Sequence, residues 1–263
     1  MHGQFKQNLI PYLPDNPYHD VVPVKKGLWC ARLAQTSADC RKALDLRARE
    51  FRDGGADEDA LDRLCRHALV EPIEGGPPVA TFRFLHLADG NGIPLTYSAQ
   101  YYDLSRMKSY TNPMLEIGRF CIRDVVLDPD ILRLGWALLT RYVDAFGIGI
   151  MFGCSSFKGN KIAVYKDALA LLKEHHLAPD IWRPEIKASE VVPFARLLRD
   201  YRPTLREANR QMPSLLRTYV TMGGWVSDHA VVDRDIGTFH VFTGVEIATI
   251  PEMRKRLLRA DAA

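Results

Sequence analysis

Paired cysteines are missing from this 263-residue sequence. Its five cysteines, Cys30, Cys40, Cys65, Cys121 and Cys154, are odd in number and far apart, with no C-x-x-C among them. A disulfide framework and a cysteine zinc site are thereby excluded, and a reducing compartment is expected. Long apolar runs are missing too. The longest, residues 146–157, is a dozen residues broken by glycine, cysteine and serine, short of the roughly 20 that cross a bilayer. Any membrane contact is expected to be peripheral. Residues 1–20 show no basic start followed by an apolar stretch, the mark of a signal peptide, so a cytoplasmic location is expected. Charge of one sign is scarce: 35 basic and 32 acidic residues leave +3, which does not announce a nucleic-acid binder. With 18 glycines, 16 prolines and 47% hydrophobic residues, collagenous and disordered chains are excluded as well.

What is present is material for a globular α/β chain. Pro11, Pro14, Pro17 and Pro23 argue for an extended arm over residues 1–24, followed by a single domain over 25–263. A first strand is predicted at 28–33. Thr36-x-x-Asp39 is a capping pattern for a helix whose Leu44, Ala48 and Phe51 share a face, stopped by Gly54-Gly55. Leu61, Leu64, Cys65, Ala68 and Leu69 have the spacing of a second helix. Turn residues at 75–78 and 89–92 bracket runs at 79–87 and 95–102 that read as a hairpin. A strand at 114–122, a helix at about 130–146 and a strand at 148–157 read as a β-α-β crossover. Helices broken by prolines are predicted over 160–177 and 189–217, strands over 217–248, and a short last helix after Pro251.

The segment Met114-Leu115-Glu116-Ile117-Gly118-Arg119-Phe120-Cys121-Ile122 puts two opposite charges inside an apolar strand. In a regular strand residues 116 and 119 face opposite ways, so a direct pair needs a bulge, which Gly118 would permit. Ordinary structural partners elsewhere are the other reading.

These residues carry a resemblance. Leu46-Arg47-x-x-x-Phe51, Asp62 with His67, Phe82-Arg83-Phe84-Leu85 and Glu116-x-x-Arg119-Phe120 resemble the acyl-homoserine-lactone synthase pattern, within an acyltransferase superfamily of the N-acetyltransferase fold. Tyr97-Ser98-Ala99-Gln100-Tyr101-Tyr102-Asp103-Leu104, Glu116 to Cys121, Met151-Phe152-Gly153-Cys154-Ser155-Ser156-Phe157 and the stretch 219–233 are similar to a narrower family. That family is the ornithine N-α-acyltransferases of ornithine-lipid synthesis, with related enzymes that acylate glutamine. The set spans about 200 residues in order, and that makes it specific. It implies a GNAT-like mixed central sheet flanked by helices, with additional C-terminal helices. It also implies transfer of a 3-hydroxy fatty acyl group from the phosphopantetheine of acyl carrier protein to the α-amine of ornithine, or of glutamine, with no separate cofactor, metal or nucleic acid.

Such a reaction needs a base for the amine, for which Glu116 is the candidate, and a donor for the oxyanion, for which a backbone N–H at Gly118 is the candidate. Arg119 suits the acceptor's carboxylate, or an internal salt bridge to an acid such as Asp62. Arg47, Phe51, Asp62, Arg83, Tyr97, Ser98, Gln100, Asp103, Arg119, Phe120, Cys154, Ser155 and Ser156 are carried over by the resemblance as substrate-binding positions. The resemblance departs at the coenzyme-A loop of the wider fold: residues 128–137 place arginine and glycine too close together, which suits a carrier-protein donor. Cys154 reads as a nucleophile or as a small core side chain. His229 and His240 are weaker candidates for a second base. Asp103, Asp228 and Asp233 are three candidates for meeting ornithine's side-chain ammonium, and the sequence does not choose among them.

The charge is unevenly spread. Residues 158–217 hold 12 basic and 7 acidic side chains, a local +5, while the flanking segments are each −1. Arg196, Arg199, Arg202, Arg206, Arg210 and Arg217 recur as on a basic amphipathic helix broken at Pro203. Arg196, Arg199, Arg206 and Arg210 are the candidate surface for acyl carrier protein or an anionic membrane. A solvated helix face is the plainer reading, and a non-catalytic module docking through this surface is the rival from another functional class.

Overall fold

The computed structural model describes residues 21–124, 126 and 128–263. The expected arm lies outside the described residues as far as residue 20. The elements of the first half are β1 (Val24–Lys26), β2 (Trp29–Leu33), α1 (Ser37–Arg52), β3 (Arg66–Pro72), β4 (Ala80–Leu87), α2 (Ser98–Tyr101), β5 (Tyr102–Asp103) and β6 (Met114–Ile122). There follow α3 (Pro129–Phe146), β7 (Ile150–Lys158), α4 (Lys166–His175), β8 (Glu185–Ile186), β9 (Val191–Val192), α5 (Phe194–Leu197), α6 (Leu205–Gln211) and α7 (Ser214–Thr221). The last are β10 (Trp225–Asp233), β11 (Thr238–Glu246) and α8 (Glu252–Ala262). Two compact units share them. One gathers the described residues up to Arg83 with Arg119–Ala145 and Ala262–Ala263; the other gathers Phe84–Gly118 and Phe146–Asp261. The chain of β4 and of β6 contributes to both.

In the first unit the strand order is β1-β2-β3-β4, with β1–β2 and β2–β3 antiparallel. The capping pattern is realised: the Thr36 hydroxyl accepts the Asp39 N–H at 3.1 Å. The helix ends at Asp53 (φ 50°), ahead of Gly54 (φ 93°). Its buried face is Ala43, Leu46 and Arg47, while Leu44, Ala48 and Phe51 are half-buried. The face is rotated from the expected one because carboxylates draw the Arg47 guanidinium inward. The second predicted helix is instead a single 3-10 turn, Ala60–Arg63, followed by β3. Ala68, Leu69 and Val70 are consecutive and all fully buried, as in a strand covered on both faces, and such a run also satisfies helical spacing. In α3, Gly135 lies against Phe120, which stacks on Phe82 at 4.9 Å; a Cβ there would come within 2.9 Å of the Phe120 ring. The glycine of the 128–137 segment therefore serves packing inside a helix.

In the second unit the order is β4-β6-β7-β11-β10-β9. Strands β6 and β7 are parallel, as the crossover reading expects, in register from Met114↔Ile150 to Glu116↔Phe152. Strand β7 pairs antiparallel with β11 along its whole length, and β11 with β10. The hairpin expected over 79–102 does not form. Asp89 caps the Asn91 N–H at 2.8 Å and opens a 3-10 turn, Gly90–Leu95, that holds Pro94; α2 follows, and β5 pairs with β8. Proline offers no N–H to a ladder. One face of β7, β11 and β10 is apolar: Phe157, Val226, Ala230, Phe239 and Val241 pack under Leu169 of α4, Phe194 of α5, Met212 just past α6 and Leu216 of α7. The proline-broken helices expected over 189–217 are α5, α6 and α7, separated at Pro203 and Pro213.

Candidate active site

The opposite face of those strands carries the polar groups. Side chains alternate along a strand, so Cys154 and Ser156 of β7 share a face with His240 and Phe242 of β11, in register Cys154↔Phe242 and Ser156↔His240. Segment 97–103 contributes to this face. The Tyr102 hydroxyl donates to the His240 carbonyl at 2.9 Å and lies 3.2 Å from its Nδ1. Burial pushes the His240 imidazole down to about 4, Asp233 opposing, so the ring is neutral near pH 7.

Glu116 is 6% exposed and its two carboxylate oxygens are held separately: one accepts the Tyr97 N–H at 2.8 Å and the other the Ser98 N–H at 2.7 Å. These are donors at the start of α2, which a carboxylate satisfies well. The Ser98 hydroxyl is 3.5 Å from the Cys154 sulfur. Ser155 points the other way and accepts the Thr243 hydroxyl at 2.9 Å. The Tyr97 hydroxyl reaches Asp233 at 3.4 Å, and its ring lies 5.0 Å from that of Tyr101. One residue, Tyr97, thus touches Glu116 with its backbone and Asp233 with its side chain.

A second constellation lies in the first unit. Arg47 is fully buried; its Nε donates to Asp57 at 2.8 Å, and the rest of its guanidinium to Asp62 and the Asp57 carbonyl. Arg83 donates to Asp62 at 2.6 Å and to both oxygens of Asp59 at 2.6 and 2.8 Å. Burial alone would raise the Asp62 carboxyl, but hydrogen bonds from Arg47 and the charges of Arg83 and Arg47 hold it below its ordinary value. His67, buried beside this group with Nε2 3.1 Å from the Asp62 carbonyl, is pushed down by burial. Arg119 meets Asp59 at 3.4 Å and Asp57 at 3.6 Å. Arg119 thus makes an internal salt bridge, to Asp57 and Asp59. It is also Arg119, not Gly118, that takes the left-handed conformation in the strand (φ 54°).

Asp57 and Asp59 were not singled out in the sequence. The available signal was the spacing Asp57-x-Asp59-x-x-Asp62 after a double glycine, near arginines on predicted elements. Gln100, Asp103 and Ser156 are exposed, and Asp103 caps the Ser105 N–H at 2.8 Å. Arg196, Arg199, Arg206 and Arg210 are exposed; Arg199 meets Asp200, and Arg210 meets Glu207. Among the described residues no group of three or more histidines, cysteines and acids is placed to hold a metal ion.

The acetyltransferase (GNAT) domain family model matches residues 41–137. An L-ornithine N(alpha)-acyltransferase of Brucella abortus is 30% identical over 243 residues, covering 83% of this chain and 84% of that one. One of Rhodobacter capsulatus is 29% identical, covering 85% and 92%. Among solved structures, an N-acyl amino acid synthase from uncultured soil microbes covers 87% of this chain and 93% of its own at 8% identity and a TM-score of 0.49. The GNAT-like mixed α/β fold with added C-terminal helices, implied by the resemblance, is that of the chain.

Proposed function

Because the chain belongs to the L-ornithine N(alpha)-acyltransferase family, we propose that it moves a 3-hydroxy fatty acyl group from the thioester of acyl carrier protein to the α-amine of ornithine. The observation that carries this reading is Glu116: a buried carboxylate fixed by two N–H donors, with Ser98, Cys154 and the Tyr97–Asp233 pair around it. A fixed carboxylate is what the first step requires. The acceptor's α-ammonium, whose solution pKa is roughly 8, gives up a proton to Glu116, directly or through a water. The nitrogen lone pair then attacks the thioester carbon. A C–N bond forms, the carbonyl pair moves onto oxygen, and an N–H at Gly118 is the proposed donor for that oxyanion. A Cβ at Gly118 would meet nothing within 4 Å, so the strand surface has room for an approaching thioester. Collapse breaks the C–S bond, and the departing pantetheine sulfur takes up the second proton that the new amide nitrogen gives up. Cys154 stays outside this scheme: the Ser98 hydroxyl beside it is no base, and direct transfer needs no acyl-enzyme.

The partner side of the reading rests on the exposed cations of residues 194–217. Arg196 and Arg206 have no acidic partner among the described residues, and Leu197 and Leu205 beside them are 63% and 62% exposed. An acidic carrier protein suits such a surface.

The test is direct. Purified protein is incubated with 3-hydroxypalmitoyl carrier protein and, separately, ornithine or glutamine, following thiol release and product mass. An N-α-acyl ornithine is expected. Glu116→Gln should lower kcat/KM by about 10²- to 10⁴-fold, the range of a lost general base. Near-normal turnover of that variant across the pH range removes the base assignment, and no amide with any amino acid removes the function.

A further inference from the structure

Three carboxylates were open as the counterpart of the acceptor's side-chain ammonium, and their surroundings separate them. Asp103 is exposed and spent on capping Ser105. Asp228 is half-exposed and bonds the Nδ1 of His229 at 2.7 Å. Asp233 is different: it is 6% exposed and meets no lysine or arginine among the described residues. Its Oδ1 accepts the N–H groups of Asp235 at 3.0 Å and Ile236 at 3.3 Å, closing the turn between β10 and β11. Among the described residues its Oδ2 meets the Tyr97 hydroxyl, at 3.4 Å, and no other donor. The neighbouring His240 is neutral near pH 7 and brings no positive charge. A carboxylate at this depth without a cation is costly to keep.

The second observation is geometric. Tyr97 donates its N–H to Glu116 and turns its hydroxyl to Asp233, so the two carboxylates stand at opposite ends of one tyrosine. From backbone nitrogen to hydroxyl a tyrosine spans roughly 7 Å, and the two nitrogens of an extended three-methylene diamino acid are five bonds and about 6 Å apart. The two lengths match, so an acceptor of that class would reach from one carboxylate to the other.

We infer that Asp233, with the Tyr97 hydroxyl, is the subsite for a side-chain ammonium on the acceptor amino acid, at the far end of the site from Glu116. The inference rests on the acyl-transfer reading above and adds to it the residues that meet the acceptor's second nitrogen. It also accounts for the choice of nitrogen. An ammonium paired with Asp233 keeps its proton and has no lone pair to attack with, whereas the α-nitrogen is deprotonated at Glu116 and is the one acylated.

The experiment compares ornithine with norvaline, which has the same carbon chain and no second amine, in the wild type, Asp233→Asn and Tyr97→Phe. Asparagine keeps the Oδ1 acceptor of the turn, and its thermal melting is checked against the wild type. The wild type should favour ornithine strongly, and Asp233→Asn should shrink the ornithine-to-norvaline ratio of kcat/KM on the order of 100-fold, mainly through the KM for ornithine. Tyr97→Phe removes one hydroxyl and should shrink the ratio several-fold, which keeps the question decidable if the asparagine variant fails to fold. An unchanged ratio in the folded variants overturns the Asp233 subsite while leaving the acyltransferase reading intact. A wild type that acylates neither amino acid overturns that reading, and the subsite with it.

Discussion

Arg47 is the residue on which the first unit's charges converge. It is fully buried, and its two carboxylate partners, Asp57 and Asp62, have side chains 0% and 5% exposed. Replacing a whole buried ion group by apolar residues can be neutral, but removing one member strands the others. Arg47→Met should therefore cost about 3–5 kcal/mol, measured as a shift of the urea unfolding midpoint at constant slope. Arg83 cannot substitute, because its own guanidinium is already divided between Asp59 and Asp62. This group was half legible in the sequence. Arg47, Asp62, Arg83 and Arg119 stood out through a family resemblance, whereas Asp57 and Asp59 sit in an irregular segment where no periodicity announces which carboxylate turns inward. Glu116 was legible for a simpler reason, being a lone acid in an apolar strand. Its partners were not, since two backbone N–H groups carry no mark of their own in a sequence.

At the scale of elements, the junction of β6 and β7 depends on one missing side chain. A Cβ on Gly153 would overlap the backbone carbonyl oxygen of Ile117, and a backbone atom cannot swing aside as a side-chain tip can. Gly153→Ala should push β7 off β6 just past the Glu116↔Phe152 pair. A loss of about 1–3 kcal/mol is expected from overpacking, with a larger loss of turnover, since Glu116 and Cys154 are on either side of the displaced ladder. Thermal melting read beside kcat separates the two effects. The same strands show what sequence patterns deliver. β6, α3 and β7 were predicted nearly to the residue because length, glycine punctuation and apolar content agree there. The stretch 61–69 was misread as a helix because a strand buried on both faces loses its alternation, and the expected hairpin failed because aspartate, glycine and proline at 89–94 close a 3-10 turn.

For the whole molecule, the near-zero net charge conceals a polarity. Phe194 of α5 and Leu216 of α7 pack on the sheet, while the arginines of α5, α6 and α7 stay outside. Among the described residues no helix is long and apolar enough to cross a membrane. Arg196→Glu with Arg206→Glu should raise the KM for the acyl carrier protein by about tenfold, two rim charges at roughly 0.7 kcal/mol each, and flatten the dependence of that KM on salt. The KM for the free amino acid should stay put. Unchanged carrier kinetics would return this surface to an ordinary solvated face. One further consequence concerns α2, a helix of only four residues, whose opening amides would ordinarily exchange with solvent deuterium almost at once. Those of Tyr97 and Ser98 are bonded to a buried carboxylate instead, so in a map of amide exchange they should be slow, and they should quicken together when Glu116 takes up a proton. Two backbone signals would then report the ionisation of the proposed base directly, with no substrate present.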